Sequence, residues 1–181
     1  KWMDLRDGAL SNGRWLDFLT REPLAGQSFQ VLCDCRKILH MLPESLPGSN
    51  DALTRRLLER GEMLRRTVLG RLHALDRELA WGFLGNRPLL MLVASFVEQF
   101  AAARPAETLD LLRWSVGVAN PRDNTGLREF LLHTLVAEGL ADEAIAVAAR
   151  YPDDFASTEY ASVLAFFAAG RLSEAEAALQ Q

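Results

Sequence analysis

Three segments in the C-terminal half of the chain open alike. Glu107, Thr108 and Leu109, then Glu143, Ala144 and Ile145, then Glu174, Ala175 and Glu176 each begin an alanine-rich helical stretch, and each stretch follows another apolar one. The steps between them are 36 and 31 residues, close to the roughly 34-residue period of stacked helical hairpins. A single helical hairpin cannot bury its apolar face alone. It must stack on neighbours, and the stack leaves an extended groove of the kind that binds rather than catalyses.

The rest of the sequence agrees with an all-α class. Ala, Leu, Arg and Glu, all good helix formers, dominate, and no AsnGly or AspGly turn joins two alternating apolar runs. With 181 residues and 49% apolar content, the chain can build one sizeable core or a short solenoid. Its net charge of −4 gives no overall positive field to gather nucleic acid or anionic lipid, so neither nucleic acid nor membrane is expected as a partner. The most apolar run, Leu89 to Ala103, is interrupted by Ser95, Glu98 and Gln99 before it could span a bilayer, and reads as a buried helix. Two cysteines are too few for a disulfide framework, which places the chain in a reducing, cytoplasmic setting. Arg almost to the exclusion of Lys points to a bacterial, GC-rich genome. Because the chain begins at Lys1 rather than Met, its native start is open.

Along the chain, residues 1–25 hold a short amphipathic piece with Trp2 and Trp15 as docking anchors, closed by Pro23. A helix is expected from Ser28 to Leu42, stopped by Pro43, Pro47 and Gly48. Asn50 then reads as the N-cap of one long helix reaching Ala80. Its apolar stripe is Leu53, Leu57, Leu64, Val68, Leu72, Leu75 and Leu79, with continuity favoured through Gly61 and Gly70. Asn86 and Pro88 mark the next start, as an N-cap followed by a first-turn proline.

From Asn86 onward the pattern predicts three hairpins: 87–103 with 105–118, 125–138 with 141–150, and 156–169 with 172–181. Gly139 and Gly170 fit the left-handed C′ position of their first helices. Ser173 and Glu176 read as a capping box. The last helix leaves Ala175, Ala178 and Leu179 with nothing after them to pack on, so the natural chain is expected to continue.

The spacing of Gly139, Ala141 and Ala144, repeated as Gly170, Leu172 and Ala175, resembles the core of tetratricopeptide repeats. The stretches 120–124, 126–128 and 151–154 are similar to loops between such repeats. The resemblance covers residues 86–181, in degenerate form. Arg128 and Glu159 stand where the family carries an aromatic, Leu132 and Val163 where it prefers a small residue, and Ala103 where the first repeat would have its glycine. It implies a right-handed superhelix of antiparallel helix pairs that holds a protein or peptide, and it implies no active site. The expected organisation is thus an N-terminal helical region, residues 1–85, packing on a repeat region, residues 86–181, as one continuous domain.

Register with Gly139 and Gly170 places Leu90, Val93, Val97 and Phe100, then Glu129, His133 and Val136, then Tyr160, Leu164 and Phe167 along the concave face. These are the candidate partner-binding residues. So apolar a groove needs a cover: the chain's own long helix, a second copy, or a foreign amphipathic helix.

Other chemistry is weakly supported. Cys33 and Cys35, two apart on a helix, point to opposite sides and cannot readily share a metal, so they read as inert buried thiols. His40, His73 and His133 lie outside any metal or nucleophile motif. The arginines of the long helix, Arg55 to Arg77, alternate with Glu59, Glu62, Asp76 and Glu78 and read as a solvated, salt-bridged face. No catalytic residue, metal or cofactor is expected. The functional expectation is a non-enzymatic scaffold or adaptor binding a peptide or helix; the alternative is a structural protein that buries its apolar face by homo-oligomerisation.

Overall fold

The computed structural model describes residues 2–8, 14–43, 48–151 and 156–180. Expectations for Lys1, Pro47, Gln181 and the 152–154 part of the last loop fall outside them. The described residues form ten α-helices and no strand, and none of these helices is long and apolar enough to cross a membrane. The all-α expectation holds. The chain divides into two compact units, Lys1–Ala103 and Arg104–Gln181.

The first unit contains α1 (Trp2–Asp7), α2 (Arg14–Arg21), α3 (Phe29–Met41), α4 (Ser49–Arg71) and α5 (Arg87–Phe100). Helix α3 is its centre and packs on α1, α4 and α5. Ser28, in extended conformation, starts α3 by accepting the Val31 N–H on its hydroxyl at 3.4 Å. The helix then buries Val31 to Cys35, Ile38 and Leu39, more than half its circumference. Trp15 is buried against this face. Trp2 stacks at 5.6 Å on Phe18 and donates its indole N–H to Asp34 at 3.0 Å. Both tryptophans are therefore anchors that fix the leader onto α3.

Helix α4 runs unbroken through Gly61, as expected, but differs from the sequence reading at both ends and in its buried face. It begins at Ser49, and Asn50 does not cap it. The Asn50 amide instead donates to the Leu39 and Leu42 carbonyls at 3.1 and 3.0 Å, satisfying acceptors at the C-terminus of α3. It ends at Arg71, short of Ala80. His73 takes a left-handed φ of +50°, and the Ala74 N–H closes on the Leu69 carbonyl at 2.9 Å, a Schellman closure built on histidine rather than glycine.

The inward ridge of α4 is Leu58, Gly61, Glu62, Arg65 and Leu69, with Leu64 beside it. The expected stripe is only partly inward: Leu64 is buried and Leu57 packs half-buried on the core around α3, whereas Leu53, Leu72 and Leu75 are exposed. On this ridge Gly61 faces α5, where a Cβ would stand in ordinary van der Waals contact with Leu92 at 3.5 Å. The charges on the ridge cancel, because Arg65 grips Glu62 with two bonds of 2.7 and 2.8 Å while Arg66 adds a third at 2.6 Å. The face expected to be wholly solvated is therefore partly core.

Helix α5, expected to open the repeat region, instead lies against α3 and α4 in the first unit. The unit boundary falls after Ala103, where the sequence placed it after residue 85. Pro88 occupies the first turn as expected, while the Asn86 amide folds back onto the Ala80 carbonyl at 3.0 Å instead of capping.

The second unit contains α6 (Pro105–Trp114), α7 (Leu127–Ala137), α8 (Ala141–Ala148), α9 (Ala156–Ala168) and α10 (Leu172–Leu179). A wider π turn, Ser115–Ala119, prolongs α6 and closes with Asn120 N–H on the Ser115 carbonyl at 2.7 Å. Helices α7 and α8 pack as a hairpin, α9 and α10 as another, and both α7 and α8 pack on α9. Gly139 and Gly170 sit at C′ with φ +74° in each, as the sequence predicts. Five residues after each glycine, Ala144 and Ala175 are buried, and with Ala161 and Ala165 they give a seam of small side chains that lets the helices approach closely. The expected capping box is not formed. Helix α10 starts at Leu172, and Arg171 pairs with Glu174 instead.

Candidate functional site

The loop before α7 fixes the surface that follows it. Asp123, buried and in left-handed conformation at φ +45°, accepts the Leu127 and Arg128 N–H groups at 2.8 and 3.0 Å, capping α7 from four residues upstream. Burial pushes its carboxyl above the ordinary aspartate value, against the two backbone N–H groups and the Arg128 charge, which pull it down. The Arg128 guanidinium stacks 5.0 Å from the Tyr151 ring, and the Tyr151 hydroxyl donates to the Pro121 carbonyl at 2.8 Å. The start of α7 and the end of α8 are thus tied through one loop. Arg113 of α6 also grips Glu143 of α8 with a fork of 2.8 and 2.5 Å, which holds the Glu143 carboxyl below the usual glutamate value.

On this frame α9 turns Thr158, Ala161 and Ala165 inward. The opposite face carries Tyr160, Leu164 and Phe167, which are 62%, 50% and 64% exposed. These three residues are spaced i, i+4 and i+7, one stripe along a helix. Ala156, Glu159, Tyr160, Val163, Ala178 and Leu179 border a shallow cleft of about 130 Å³ between α9 and α10. On α7, His133 is exposed and Glu129 and Val136 are half-buried, while Phe130 adds an exposed ring. Because Gly139 and Gly170 close α7 and α9 with the same geometry, Glu129, His133 and Val136 hold the positions that Tyr160, Leu164 and Phe167 hold on α9.

Six of the nine groove candidates therefore belong to the α7 and α9 faces of the second unit. The other three do not join them. Val93, Val97 and Phe100 are buried at 3%, 0% and 2% exposure in the first unit, where α3 and α4 cover α5. Leu90, in the same register, is equally buried. For α5, the chain's own N-terminal helices are the cover.

Sequence reasoning missed Phe130 and the cleft at Leu179. The register skips Phe130, although its place three residues before His133 puts it on the same side of the helix. The polar supports, Asp123 and the Arg113–Glu143 fork, join residues too far apart in sequence for spacing to reveal.

Cys33 and Cys35 are buried. Burial, reinforced by Asp34, pushes the Cys35 thiol up to about 12; burial also raises Cys33, with Lys37 opposing. Neither supplies a thiolate near neutral pH. The histidines lie on α3, after α4 and on α7, and no group of three metal-ligating side chains occurs among the described residues. No protein-family model, curated protein or solved structure matches the chain.

Proposed function

We propose that the chain is a non-enzymatic interaction module of tetratricopeptide-like build, which holds a peptide or helix of a partner protein against the α7 and α9 faces. The observation that carries this reading is the stripe of Tyr160, Leu164 and Phe167, large apolar side chains left in water on a helix whose other face is packed. Each loses favourable burial by staying exposed, roughly 1.5–3 kcal/mol for a side chain of this size fully buried. A contiguous patch of this kind marks an interaction surface. The capped, cross-braced frame behind it presents the stripe on rigid helices, which lowers the ordering cost of association. The finer reading, a right-handed superhelix with a scaffold or adaptor role, rests on the resemblance of residues 86–181 to tetratricopeptide repeats, and the cytoplasmic setting on the scarcity of cysteine.

The test is capture of binding partners by wild-type protein and by a Leu164→Asp, Phe167→Asp variant with an unchanged helical circular dichroism spectrum. Loss of capture by the folded variant supports the assignment. Equal capture removes it.

A second reading, self-association, is favoured by α10, where Leu172 and Leu179 are 61% and 63% exposed. Light scattering over a range of concentrations separates the two. A monomer at every concentration eliminates self-association.

A further inference from the structure

We infer that the occupant of the α7 and α9 face is a basic amphipathic helix, one with leucine-like residues at i, i+3 or i+4, and i+7 and with lysine or arginine flanking them. This rests on the docking reading above and adds the charge of the partner. Charge is unevenly spread along the chain. Residues 104–181 hold twelve carboxylate side chains against six arginines and no lysine, whereas residues 1–103 hold twelve against fourteen arginines and lysines. The imbalance sharpens on the helices that form the face. Across α7, α8, α9 and α10 there are six carboxylates, of which Glu143 is paired with Arg113 and Glu174 with Arg171, while the basic side chain Arg128 of α7 is held by Asp123 and Tyr151.

Glu129 and Glu159 stand immediately before Phe130 and Tyr160, so each apolar face is edged by a carboxylate at its N-terminal end. An acidic helix laid there would meet the like charge of Glu129 and Glu159. A basic one would gain complementary pairs at the rim while its apolar side covers Tyr160, Leu164 and Phe167. The stripe spans two helical turns, so a partner helix can match it with three anchors.

The probe is a fluorescein-labelled peptide of about 18 residues, roughly five helical turns, with leucine on one face and lysine elsewhere. A second peptide carries glutamate for every lysine. Fluorescence anisotropy against the whole chain should show the lysine peptide binding at least about tenfold more tightly than the glutamate peptide at low salt, with the difference narrowing as salt screens the rim. A Leu164→Asp, Phe167→Asp variant should lose both interactions. Glu129→Lys with Glu159→Lys should weaken the lysine peptide by about tenfold or more, whereas Glu107→Lys with Asp110→Lys, the same change of net charge on α6, should not.

Equal weakening by the two lysine pairs would show a diffuse attraction and overturn the inference. If the glutamate peptide binds this face as tightly, the charge assignment fails while the docking reading stands. If neither peptide binds and Phe167→Asp dissociates a dimer, a second copy is the occupant and both fail.

Discussion

Gly139 and Gly170 hold the same left-handed conformation 31 residues apart, φ +74° in each, and each passes its own N–H and that of the next residue back to the helix it ends. The bonds run from Gly139 to Val136 at 3.1 Å and Leu140 to Leu135 at 2.8 Å, then from Gly170 to Phe167 at 3.0 Å and Arg171 to Phe166 at 2.9 Å. The same closure ends α4, but there His73 occupies the position. These three sites test one physical term. No heavy atom lies within 4 Å of a Cβ built on either glycine, so Gly139→Ala and Gly170→Ala pay the conformational cost alone, about 1–2 kcal/mol each. His73→Gly should move the other way, stabilising by up to about 1 kcal/mol, since glycine relieves the strain but raises the entropy of the unfolded chain. Urea denaturation of the three variants checks all of these signs.

The buried grip of Arg65 on Glu62 predicts non-additive energetics. Glu62→Leu removes the fork that neutralises Arg65 on the inward ridge of α4 and should cost about 3 kcal/mol or more. The double variant with Arg65→Met replaces both charges by apolar groups of similar length and should recover most of that loss. A double-mutant cycle in denaturant checks this. Equal damage in single and double variants would show that the ridge needs shape here rather than charge balance.

The alternation of arginine and glutamate on α4 was legible in the sequence, but not which members face inward. Leu53, Leu57 and Leu72 satisfy helical spacing as well as Leu58 and Leu69 do, so periodicity allows either stripe. What separates them is which side meets α5, as where Gly61 faces Leu92, a neighbour 31 residues away that only the folded pair supplies. The same limit explains α5. Its apolar residues surround the helix, so the pattern says that it is buried without saying by what, and α3 and α4 take the place expected of a repeat partner. In the second unit the signals are local. Glycine at C′ and alanine five residues later act within one hairpin, and there the sequence placed the ends of α7 to α10 to within two residues, although the capping box did not form.

Asp123 and Glu143 should respond to pH with opposite sign. Burial raises the Asp123 value in the folded state, so the fold binds that proton more tightly than the unfolded chain. The stability Asp123 contributes is greatest below its ordinary value near 3.8 and declines as pH rises through the raised one. Asp123→Ala should cost about 1–2 kcal/mol through the lost cap, and the gap between variant and wild type should narrow with rising pH across that window. Denaturation curves at pH 3 to 7 read the trend.

For Glu143 the Arg113 fork lowers the folded-state value below 4.5, so its contribution is complete above 4.5 and is lost as pH falls through the lowered value. Both partners of the fork are 38% exposed, and solvent screening holds the contribution to less than about 1 kcal/mol. Glu143→Gln should therefore destabilise slightly at pH 7 and not at all once wild-type Glu143 is protonated. A difference that persisted at the acid end would assign the effect to packing.

Val97 and Phe167 both fall on the concave face that the sequence register predicts, and their burial in the structure is opposite. Val97 is 0% exposed beneath α3 and α4, whereas Phe167 is 64% exposed on α9. Introducing aspartate at Val97 places a carboxyl in a sealed apolar core without a partner, a change that costs several kcal/mol and should unfold the first unit. The same change at Phe167 leaves the carboxylate in water and should shift stability by about 0.5 kcal/mol or less. It should also weaken binding of a dye that reports exposed apolar surface, because the stripe loses one of its two rings. Thermal melts and dye titrations of the two variants give the comparison directly. If Val97→Asp melted like wild type, α5 would be open to solvent and available to a partner after all. If Phe167→Asp destabilised as much as Val97→Asp, the α9 stripe would be core, and the surface assigned to it would not exist.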